Sequence, residues 1–417
     1  NVVTSNCRKS WSKYSLYPAE HFYIITEPIE NLSKTLPVIR DFDNRTYIKE
    51  DAGKILVGIF ESQSIPAWDK VNKVPEDFSF GEFQENFEHF EPYLATAIKR
   101  FPVLETAGIR KFFSGPESFT PDTNTLLGEV PEIKNFFVCC GLNSIGIGSG
   151  GGVGKVTAEW LINGHINEDI FCYDIKRFQK FHSDLGFIKK RITESLGDLY
   201  GMHWPFKQHK TSRNVKTLPY HDELKSFGAC FGVSGGYERP MWFALDGEKT
   251  EYEYSYNYQN WYPSAEYETN NTVKNVGLFD LTPFSKFEIK SDKAHKELQK
   301  ICTANIKNEV GKCIYTHMLN PDGGIETDLT VVCIDKDHFR IISSAATRER
   351  DKFHIKKYLA KDIELKDVTD DFCVFGVFGP KSRALMKSIS KDNFENDVFR
   401  FGTCLLYTSD AADDCVC

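Results

Sequence analysis

A glycine-dense segment follows a short apolar run, Phe136 to Cys140, and this order of residue types can build a ligand site. The segment extends from Gly141 to Gly154, and the spacing of Val153, Val156 and Trp160 predicts a helix behind it. Glycines let backbone N–H groups approach a ligand closely, and a helix N-terminus carries partial positive charge. This arrangement suits a phosphate or the electron-rich edge of a reduced flavin. Taken alone, the glycine run is also compatible with a turn or a linker.

A second segment of interest is a tight turn at residues 320–324 followed by a predicted strand at 325–334. Alternation along this strand defines two faces. One face carries Ile325, Thr327, Leu329 and Val331, and the other carries Glu326, Asp328, Thr330 and Val332. On this pattern alone, Asp328 is compatible with a solvated carboxylate on a strand.

The bulk properties exclude several classes of protein. The chain has 417 residues and a formal net charge of −8, with 41% hydrophobic and 26% charged residues. Such a length suits two or three domains that each bury a core. The net negative charge argues against a nucleic-acid partner, because nucleic-acid-binding proteins carry a basic face. No apolar run approaches the about 18 residues of a transmembrane helix, so we expect no membrane span.

The 12 cysteines are scattered along the chain. They form no paired C-x-x-C sets, and no His/Cys spacing matches that of a metal site. We therefore expect reduced, buried thiols and no bound metal.

Both ends of the sequence suggest a piece of a longer protein. Residue 1 is Asn rather than Met, and no charged-then-apolar signal segment follows it. The stretch from Cys404 to Asp414 resembles a translated sequencing adapter. We therefore expect the native start to be missing and residues 404–417 to be a non-native tail.

Periodicity predicts a chain of the α+β class. In the first domain, strands are predicted at residues 21–25, 46–49, 55–60 and 110–113, and a helix at about 83–101. The predicted divisions are an incomplete first domain at 1–175, a connecting central module at 176–232 and an incomplete strand-rich second domain at 233–403.

Five motifs occur in an order that matches one protein family. They are Gly115–Asp122 (GPESFTPD), Gly141–Gly154, Tyr173–Phe178 (YDIKRF), Tyr237–Phe243 (YERPMWF) and Tyr315–Val331 (YTHMLNPDGGIETDLTV). In these motifs the chain resembles the sarcosine and dimethylglycine dehydrogenase family, with sarcosine dehydrogenases the most similar members. The resemblance implies the C-terminal part of a DAO-type FAD-dependent oxidoreductase domain. A strand-rich folate-binding domain like the aminomethyltransferase of the glycine cleavage system would follow it.

The resemblance implies that the glycine loop and its helix lie at the pyrimidine edge of FAD. The residues expected to contact this cofactor are Gly141, Leu142, Asn143, Ser144, Ile145, Gly146, Gly151 and Gly152. The helix N-terminus would stabilise negative charge on the reduced flavin. Gly115 and Pro116 match a turn that the family places near the flavin, with an ordinary turn as an equally good interpretation. Tyr47 lies on a strand that approaches the substrate in relatives, although a core tyrosine is the favoured interpretation.

The resemblance also implies a site for tetrahydrofolate in the second domain. Asp328 matches the family's carboxylate at the folate site, where it can orient or deprotonate the amine that captures the one-carbon unit. Leu329 and Thr330 are expected to contribute backbone contacts beside it. Tyr315 and His317 lie near the same turn, but the sequence assigns neither of them a role.

The implied activity is the FAD-dependent oxidative demethylation of sarcosine, an N-methylated glycine, to glycine. Tetrahydrofolate would take the one-carbon unit, and an electron-transfer flavoprotein would accept the electrons in the mitochondrial matrix. Dimethylglycine is an alternative substrate. The family's G-x-G-x-x-G fingerprint and its flavin-linking histidine are not in this sequence, so the fragment alone is expected to be inactive.

A non-catalytic protein is the competing hypothesis. The same domain order resembles the regulatory subunit of pyruvate dehydrogenase phosphatase, and residues 20–23 and 89–92 are somewhat similar to that branch. Asp328 within the intact GGIETDLTV motif favours the enzyme, since a regulatory protein does not need the folate carboxylate.

Overall fold

The computed structural model describes residues 14–166 and 168–405. These residues form two compact units. The first unit comprises residues 14–162 and 170–213, and the second comprises the described residues of 163–169 and residues 214–405. The tail expected at 404–417 lies outside the described residues from position 406 onward.

The first unit combines strands and helices, as the sequence predicts. Its strands are β1 (Tyr17–Thr26), β2 (Ile39–Asp41), β3 (Thr46–Asp51), β4 (Lys54–Ile59), β5 (Ile109–Phe119), β6 (Leu126–Glu129) and β7 (Phe137–Cys140). Its α-helices are α1 (Phe87–Arg100), α2 (Gly146–Asn163) and α3 (Leu185–Asp198).

The main sheet of the first unit is antiparallel, in the order β2-β3-β4-β1-β5. Strand alternation gives it two apolar faces. Phe22 and Val57 are fully buried on one face, where Phe90 of α1 packs against them. Phe119 belongs to the core of the other face, where Ile192 of α3 covers it. Because both faces are covered, the sheet is a rigid base for the loops at its edge.

The start of α1 is set by a capping residue. The side chain of Asn86 accepts a hydrogen bond from the backbone N–H of His89 at 3.1 Å. This bond satisfies one of the unpaired donors of the first turn. The helix therefore begins at Phe87 rather than at residue 83, where the apolar spacing alone placed it.

The turn expected at Gly115 and Pro116 is wrong. Both residues lie inside β5, where they pair with His21 and Glu20 of β1. Pro116 has no N–H to donate, but β5 is an edge strand, and proline is tolerated at an edge. The strand therefore continues to Phe119.

The prediction of strand, loop and helix over residues 136–163 is confirmed by β7, the loop 141–145 and α2. The boundary of the helix differs from the prediction. α2 begins at Gly146 and takes in most of the glycine run, which the apolar spacing had placed before the helix. Gly146, Gly151 and Gly152 are therefore helical residues.

The second unit contains a five-stranded sheet and two two-stranded antiparallel sheets. Its strands are β8 (Ala229–Ser234), β9 (Tyr237–Phe243), β10 (Gly277–Asp280), β11 (Ser285–Lys290), β12 (Cys313–Leu319), β13 (Ile325–Asp335), β14 (His338–Ser343), β15 (Leu365–Asp367) and β16 (Phe375–Phe378). Its α-helices are α4 (His221–Ser226), α5 (Tyr262–Lys274), α6 (Ala294–Ile301), α7 (Arg348–Tyr358) and α8 (Ser382–Ile389). The two-stranded sheets are β8-β9 and β10-β16.

The larger sheet of the second unit is antiparallel, in the order β12-β13-β14-β11-β15. The hairpin expected before the Asp328 strand is confirmed, because Gly323, at φ 86°, lies in the turn between β12 and β13. Leu329 and Val331 are buried on the face that packs against Leu298 of α6 and Ile355 of α7. The polar face of β13 therefore points away from this core.

None of the helices in the described part of the chain combines the length and the apolar character that a bilayer crossing requires.

Candidate functional site

The N-terminal half of α2 is a helix with very few side chains. Six of the nine residues from 146 to 154 are glycine, and each costs a helix about 0.5–1 kcal/mol relative to alanine. A Cβ atom added at Gly148, Gly151 or Gly154 would meet no atom within 4 Å. These three glycines are thus not required by packing within the described structure. They leave a bare, positively polarised helix end open to a ligand.

The loop before α2 is shaped by two residues that pack inward. Gly141 has φ 63°, and a Cβ atom there would lie 2.8 Å from Leu16 Cδ1 and 2.9 Å from Thr120 Cγ2. Asn143 is 2% exposed; its side chain accepts from the Thr120 N–H at 2.9 Å and donates to the Gly141 carbonyl at 2.5 Å. The close packing around Gly141 and the hydrogen bonds of the Asn143 side chain give the loop its shape, so cofactor contacts from these two residues would be made by the backbone.

The rest of the loop faces outward. Ser144 has φ 65° and donates a hydrogen bond to Glu117. Ile145 is 49% exposed and Ile147 is 104% exposed, although both are large apolar residues. Exposed apolar side chains beside a bare helix N-terminus fit a flat ring system whose polar edge meets the helix. A flavin therefore fits this surface, and Leu142 lies partly buried at its base.

Two of the sequence motifs meet in one ion pair. Arg177, from YDIKRF, reaches Asp122, from GPESFTPD, with Nε 2.7 Å from Oδ2 and Nη2 2.9 Å from Oδ1. Arg177 also donates to the carbonyl of Asn124 at 2.9 Å. A paired fork of this kind fixes orientation as well as distance. The two motifs thus hold the chain between β5 and β6 in place, a role that the sequence did not reveal.

Gly115 and Tyr47 share one face of the main sheet. A Cβ atom at Gly115 would lie 2.7 Å from Phe113 Cζ, so this glycine makes room for an aromatic ring. Gly58 does the same for Tyr47, whose Cζ would be 1.9 Å from an added Cβ. The Tyr47 hydroxyl lies 3.3 Å from His21 Nε2. The Tyr47 ring packs against the core that contains Phe119 and Ile192, so Tyr47 is a core residue, as the favoured interpretation of the sequence predicts. Its hydroxyl keeps His21 as a polar partner.

In the second unit, Asp328 is exposed on β13, directly opposite His317 of β12. The Tyr315 hydroxyl donates to Asp328 Oδ2 at 3.2 Å and lies 3.5 Å from His317 Nε2. Local loss of water, and then the bond to Asp328, raise the pKa of the Tyr315 phenol, so it stays a donor although the residue is exposed. Tyr315 and His317, to which the sequence assigned no role, therefore form one polar patch with the carboxylate.

The two neighbours of Asp328 differ in position. Thr330 is partly exposed on the same face and pairs with Tyr315. Leu329 is 2% exposed, and its side chain points into the core. Its strand is paired with β12 and β14 on both sides. Thr330 therefore joins the polar patch, and the Leu329 side chain does not.

A buried carboxylate lies in α7. Asp351 is 1% exposed, and Thr347 Oγ1 donates to its Oδ2 at 2.7 Å. Burial raises the pKa of Asp351 to about 6, against 3.8 for an ordinary aspartate. The folded state therefore binds a proton more readily than the unfolded state, so stability falls as the pH rises through the interval between these values.

Replacing Asp351 with Asn is expected to raise the free energy of unfolding by about 1–3 kcal/mol above pH 6, since the ionisation penalty disappears. The gain should shrink steadily as the pH is lowered from 6 toward 3.8, because the folded carboxyl is already neutral in this interval while the unfolded carboxyl approaches its own pKa. It should vanish only below pH 3.8, where the carboxyl is neutral in both states. Urea denaturation at pH 8, 6 and 4.5 measures this difference. A gain that is equal at all three pH values would contradict the assignment.

One group of possible metal ligands occurs in the described residues. Glu194 and Asp198, one turn apart on α3, and His209 bring ligand atoms within 4.8 Å of one another. However, Lys207 Nζ lies 2.6 Å from Asp198 Oδ1, and Thr211 donates to Glu194 from both N and Oγ1. The carboxylates thus hold the loop that follows α3, and Lys207 adds positive charge where a cation would bind. The absence of a metal stays a prediction.

Three family models match the chain in succession. Residues 4–160 match the FAD dependent oxidoreductase model, 163–217 match the FAD dependent oxidoreductase central domain, and 220–416 match the GCVT N-terminal domain. The fold prediction is confirmed: a DAO-type oxidoreductase domain is followed by an aminomethyltransferase-like domain.

Three curated relatives match nearly all of this chain at moderate identity. The 4-methylaminobutanoate oxidase (formaldehyde-forming) of Paenarthrobacter nicotinovorans is 39% identical over 93% of this chain and 47% of its own length. The mouse mitochondrial pyruvate dehydrogenase phosphatase regulatory subunit is 33% identical over 90% of this chain and 43% of its own length. Human mitochondrial sarcosine dehydrogenase is 31% identical over 95% of this chain and 48% of its own length.

The chain thus spans about half the length of the curated relatives it matches. Its identity to the 4-methylaminobutanoate oxidase is higher than its identity to human sarcosine dehydrogenase. These identities therefore do not single out the sarcosine dehydrogenases among the relatives.

Proposed function

Because the chain joins FAD dependent oxidoreductase and GCVT N-terminal domains and is homologous to the sarcosine and dimethylglycine dehydrogenase family, we propose that the full-length protein oxidatively demethylates an N-methylated amino acid. FAD and tetrahydrofolate are the cofactors of this domain combination. The observation that carries the proposal is the bare N-terminus of α2 in a chain that also presents Asp328 on an open strand face.

The flavin side of the reaction is assigned to the loop 141–145 and the first turns of α2. Bound FAD supplies the hydride acceptor. The backbone N–H groups at the start of α2 stabilise negative charge at the polar edge of the ring. Ile145 and Ile147 cover apolar ring surface and exclude water from it. Gly151 and Gly152 keep the helix surface free of side chains.

The folate side is assigned to Asp328, with Tyr315 as its positioning residue. The Asp328 side chain accepts a proton from, or orients, the folate nitrogen that attacks the oxidised methyl carbon. The Tyr315 hydroxyl holds one carboxylate oxygen, so the other is left to face the ligand. Thr330 is proposed as a neighbouring contact. Leu329 is retained only as a backbone contact, because its side chain is buried.

Sarcosine, dimethylglycine and 4-methylaminobutanoate are the candidate substrates, because relatives are named for each of them. Sarcosine remains our first choice on the wording of the motifs. An electron-transfer flavoprotein is the proposed electron acceptor. Oxygen is the alternative, since one relative is named an oxidase. A mitochondrial matrix location is proposed from the mitochondrial dehydrogenases.

The 33% identity to the mouse phosphatase regulatory subunit supports one alternative, a non-catalytic partner protein. This alternative predicts that no N-methylated amino acid reduces flavin bound to the full-length protein. The proposed enzyme predicts the opposite.

The test of the proposed function is anaerobic flavin bleaching in the full-length, flavin-loaded protein. Sarcosine, dimethylglycine and 4-methylaminobutanoate are mixed with it in turn, and the flavin absorbance is followed by stopped flow. We expect one of the three to bleach the flavin with kcat/KM at least about tenfold above the other two, since one methylene or methyl group in a pocket is worth about 1–3 kcal/mol. Bleaching by none of them would favour the regulatory protein.

A further inference from the structure

A short stretch of chain, residues 163–166, begins at the last residue of α2, and we call it the junction segment. It starts the match to the FAD dependent oxidoreductase central domain, yet its contacts group it with the second unit. Asp322, in the turn between β12 and β13, binds His165 of the segment. Lys357 of α7 donates to the carbonyl of Gly164 at 2.9 Å. Polar contacts therefore attach the junction segment to the second unit at two points.

The geometry of His165 requires a proton on each ring nitrogen. Nδ1 lies 3.0 Å from the carbonyl oxygen of Asn163, and Nε2 lies 2.8 Å from Asp322 Oδ2. A carbonyl and a carboxylate can only accept hydrogen bonds, so both ring nitrogens must donate. Only the positively charged imidazolium has both protons. The neutral ring would place a lone pair against one of the two oxygens, and that contact would become repulsive.

The surroundings of the ring determine how strongly it depends on this proton. The His165 side chain is 13% exposed, so protein oxygens rather than water must accept its protons. Asp322 contacts the ring at hydrogen-bond distance and attracts its positive charge. The ammonium group of Lys357 opposes this charge, but it is bound to the carbonyl of Gly164. Glu168 and Asp169 follow on the same stretch of chain and add negative charge.

The turn that carries Asp322 is held by hydrogen bonds of its own. Asn320 Oδ1 accepts from the N–H of Asp322 at 3.0 Å and from the N–H of Gly324 at 2.8 Å. The Asn320 N–H donates to the Gly324 carbonyl at 2.8 Å, and the Gly323 N–H donates to the Asn320 carbonyl at 3.0 Å. The turn is therefore a fixed anchor. Loss of the contact with His165 would release the junction segment rather than the turn.

We propose that His165 is a pH-sensitive switch, which binds the junction segment to the hairpin turn when the imidazole is protonated and releases it when the imidazole is neutral. Imidazole is the side chain that ordinarily changes charge between about pH 5 and 8. The inference goes beyond the proposed reaction and does not depend on it, because it concerns the attachment of a segment. The sequence analysis included Asp322 in a motif but gave neither Asp322 nor His165 a role.

A contact that does not respond to pH is the competing explanation. In that case Lys357 would hold the junction segment at every pH, and His165 would contribute nothing that depends on its charge. The two explanations differ in how readily the segment comes free when the pH is raised from the acidic to the basic side of the imidazole transition.

The experiment measures how fast a glutamate-specific protease cuts the full-length protein after Glu168, an exposed residue close to the junction segment. Cleavage of a folded protein requires the residues around the bond to come free of the structure. Mass spectrometry follows the cut at about pH 5.5 and about pH 8, on either side of the imidazole transition. Each rate is divided by the rate for a synthetic peptide of residues 163–174, which removes the pH dependence of the protease itself.

The variants separate the two contacts. His165→Ala removes the imidazole, Asp322→Asn removes the charge that faces it, and Lys357→Met removes the second contact. Asp322 is 57% exposed, so its replacement tests the inference even if His165→Ala does not fold. The matched control is His338→Gln, because His338 Nε2 lies 3.1 Å from Glu288 Oε2 in another histidine–carboxylate pair of the second unit.

We expect the normalised rate for wild type to rise about three- to tenfold from the lower to the higher pH, which is the scale of one hydrogen bond. His165→Ala should be cut at the higher rate at both pH values. Asp322→Asn should lose the pH dependence, because an amide can both donate and accept and so binds either form of the ring. Lys357→Met should be cut faster at both pH values and keep the pH dependence.

A wild-type rate that is equal at the two pH values would overturn the inference. A pH dependence that persists unchanged in His165→Ala would do the same, because another group would then be responsible for it. The His338→Gln control should behave as wild type does. If it also loses the pH dependence, the effect is not specific to His165, and the inference is wrong.

Discussion

Replacing Asp328 with Asn in the full-length protein is expected to lower the rate of methylene-tetrahydrofolate formation by about 10²–10⁴, the usual effect of losing a positioned acid or base. Flavin reduction by the amine should stay nearly unchanged, because Asp328 lies in the second unit. The one-carbon unit should then leave as free formaldehyde. Stopped-flow bleaching and formaldehyde release, with and without tetrahydrofolate, measure the two steps separately.

Two further variants sharpen this test. Tyr315→Phe removes the donor to Asp328 but leaves the carboxylate, so a smaller loss of one-carbon transfer is expected. Asp335→Asn removes an exposed carboxylate at the end of the same strand and should have no effect. An Asp328 variant that traps the one-carbon unit as well as wild type, or that loses flavin reduction, would remove Asp328 from the folate site.

The elements that hold these sites could largely be predicted because their apolar patterns are regular. The hairpin before β13 follows from a turn sequence and a clear alternation, and Leu329 and Val331 are buried as the pattern requires. The strand, loop and helix around the glycine run were predicted for similar reasons. The start of α2 was not, because glycine is a poor helix former and six of them argue for a loop. Only the tertiary structure shows that the helix tolerates them.

The site residues were harder to predict than the elements. Gly115 and Pro116 look like a turn in sequence, and only the pairing with β1 extends the strand through them. The ion pair between Arg177 and Asp122 joins positions that are 55 residues apart. No local pattern signals such a pair.

Replacing Gly151 with Leu is expected to weaken flavin binding by about 100-fold in the full-length protein, because overpacking by a bulky side chain costs about 3 kcal/mol and each 1.4 kcal/mol is a factor of ten. A Cβ atom at Gly151 meets nothing within 4 Å, so the protein itself has room for the side chain. Leucine also favours a helix over glycine by about 0.5–1 kcal/mol. The variant should therefore be at least as stable as wild type while it loses flavin. Flavin absorbance after gel filtration and a urea denaturation curve of the flavin-free protein measure the two properties.

A substitution at Gly151 tests flavin binding without disturbing the folded protein. A substitution at Gly146 would not, because a Cβ atom there would already lie 3.1 Å from Leu142 Cδ1. Ala158→Leu is the matched control: position 158 is exposed on the same helix, two turns or about 10 Å further from its N-terminus. It should retain flavin as wild type does, because the helix end that meets the cofactor is unchanged. If Gly151→Leu also retains flavin, the bare surface of α2 is not the flavin-binding surface, and the glycines need another explanation. If Ala158→Leu loses flavin equally, the effect belongs to the whole helix rather than to close approach at its N-terminus.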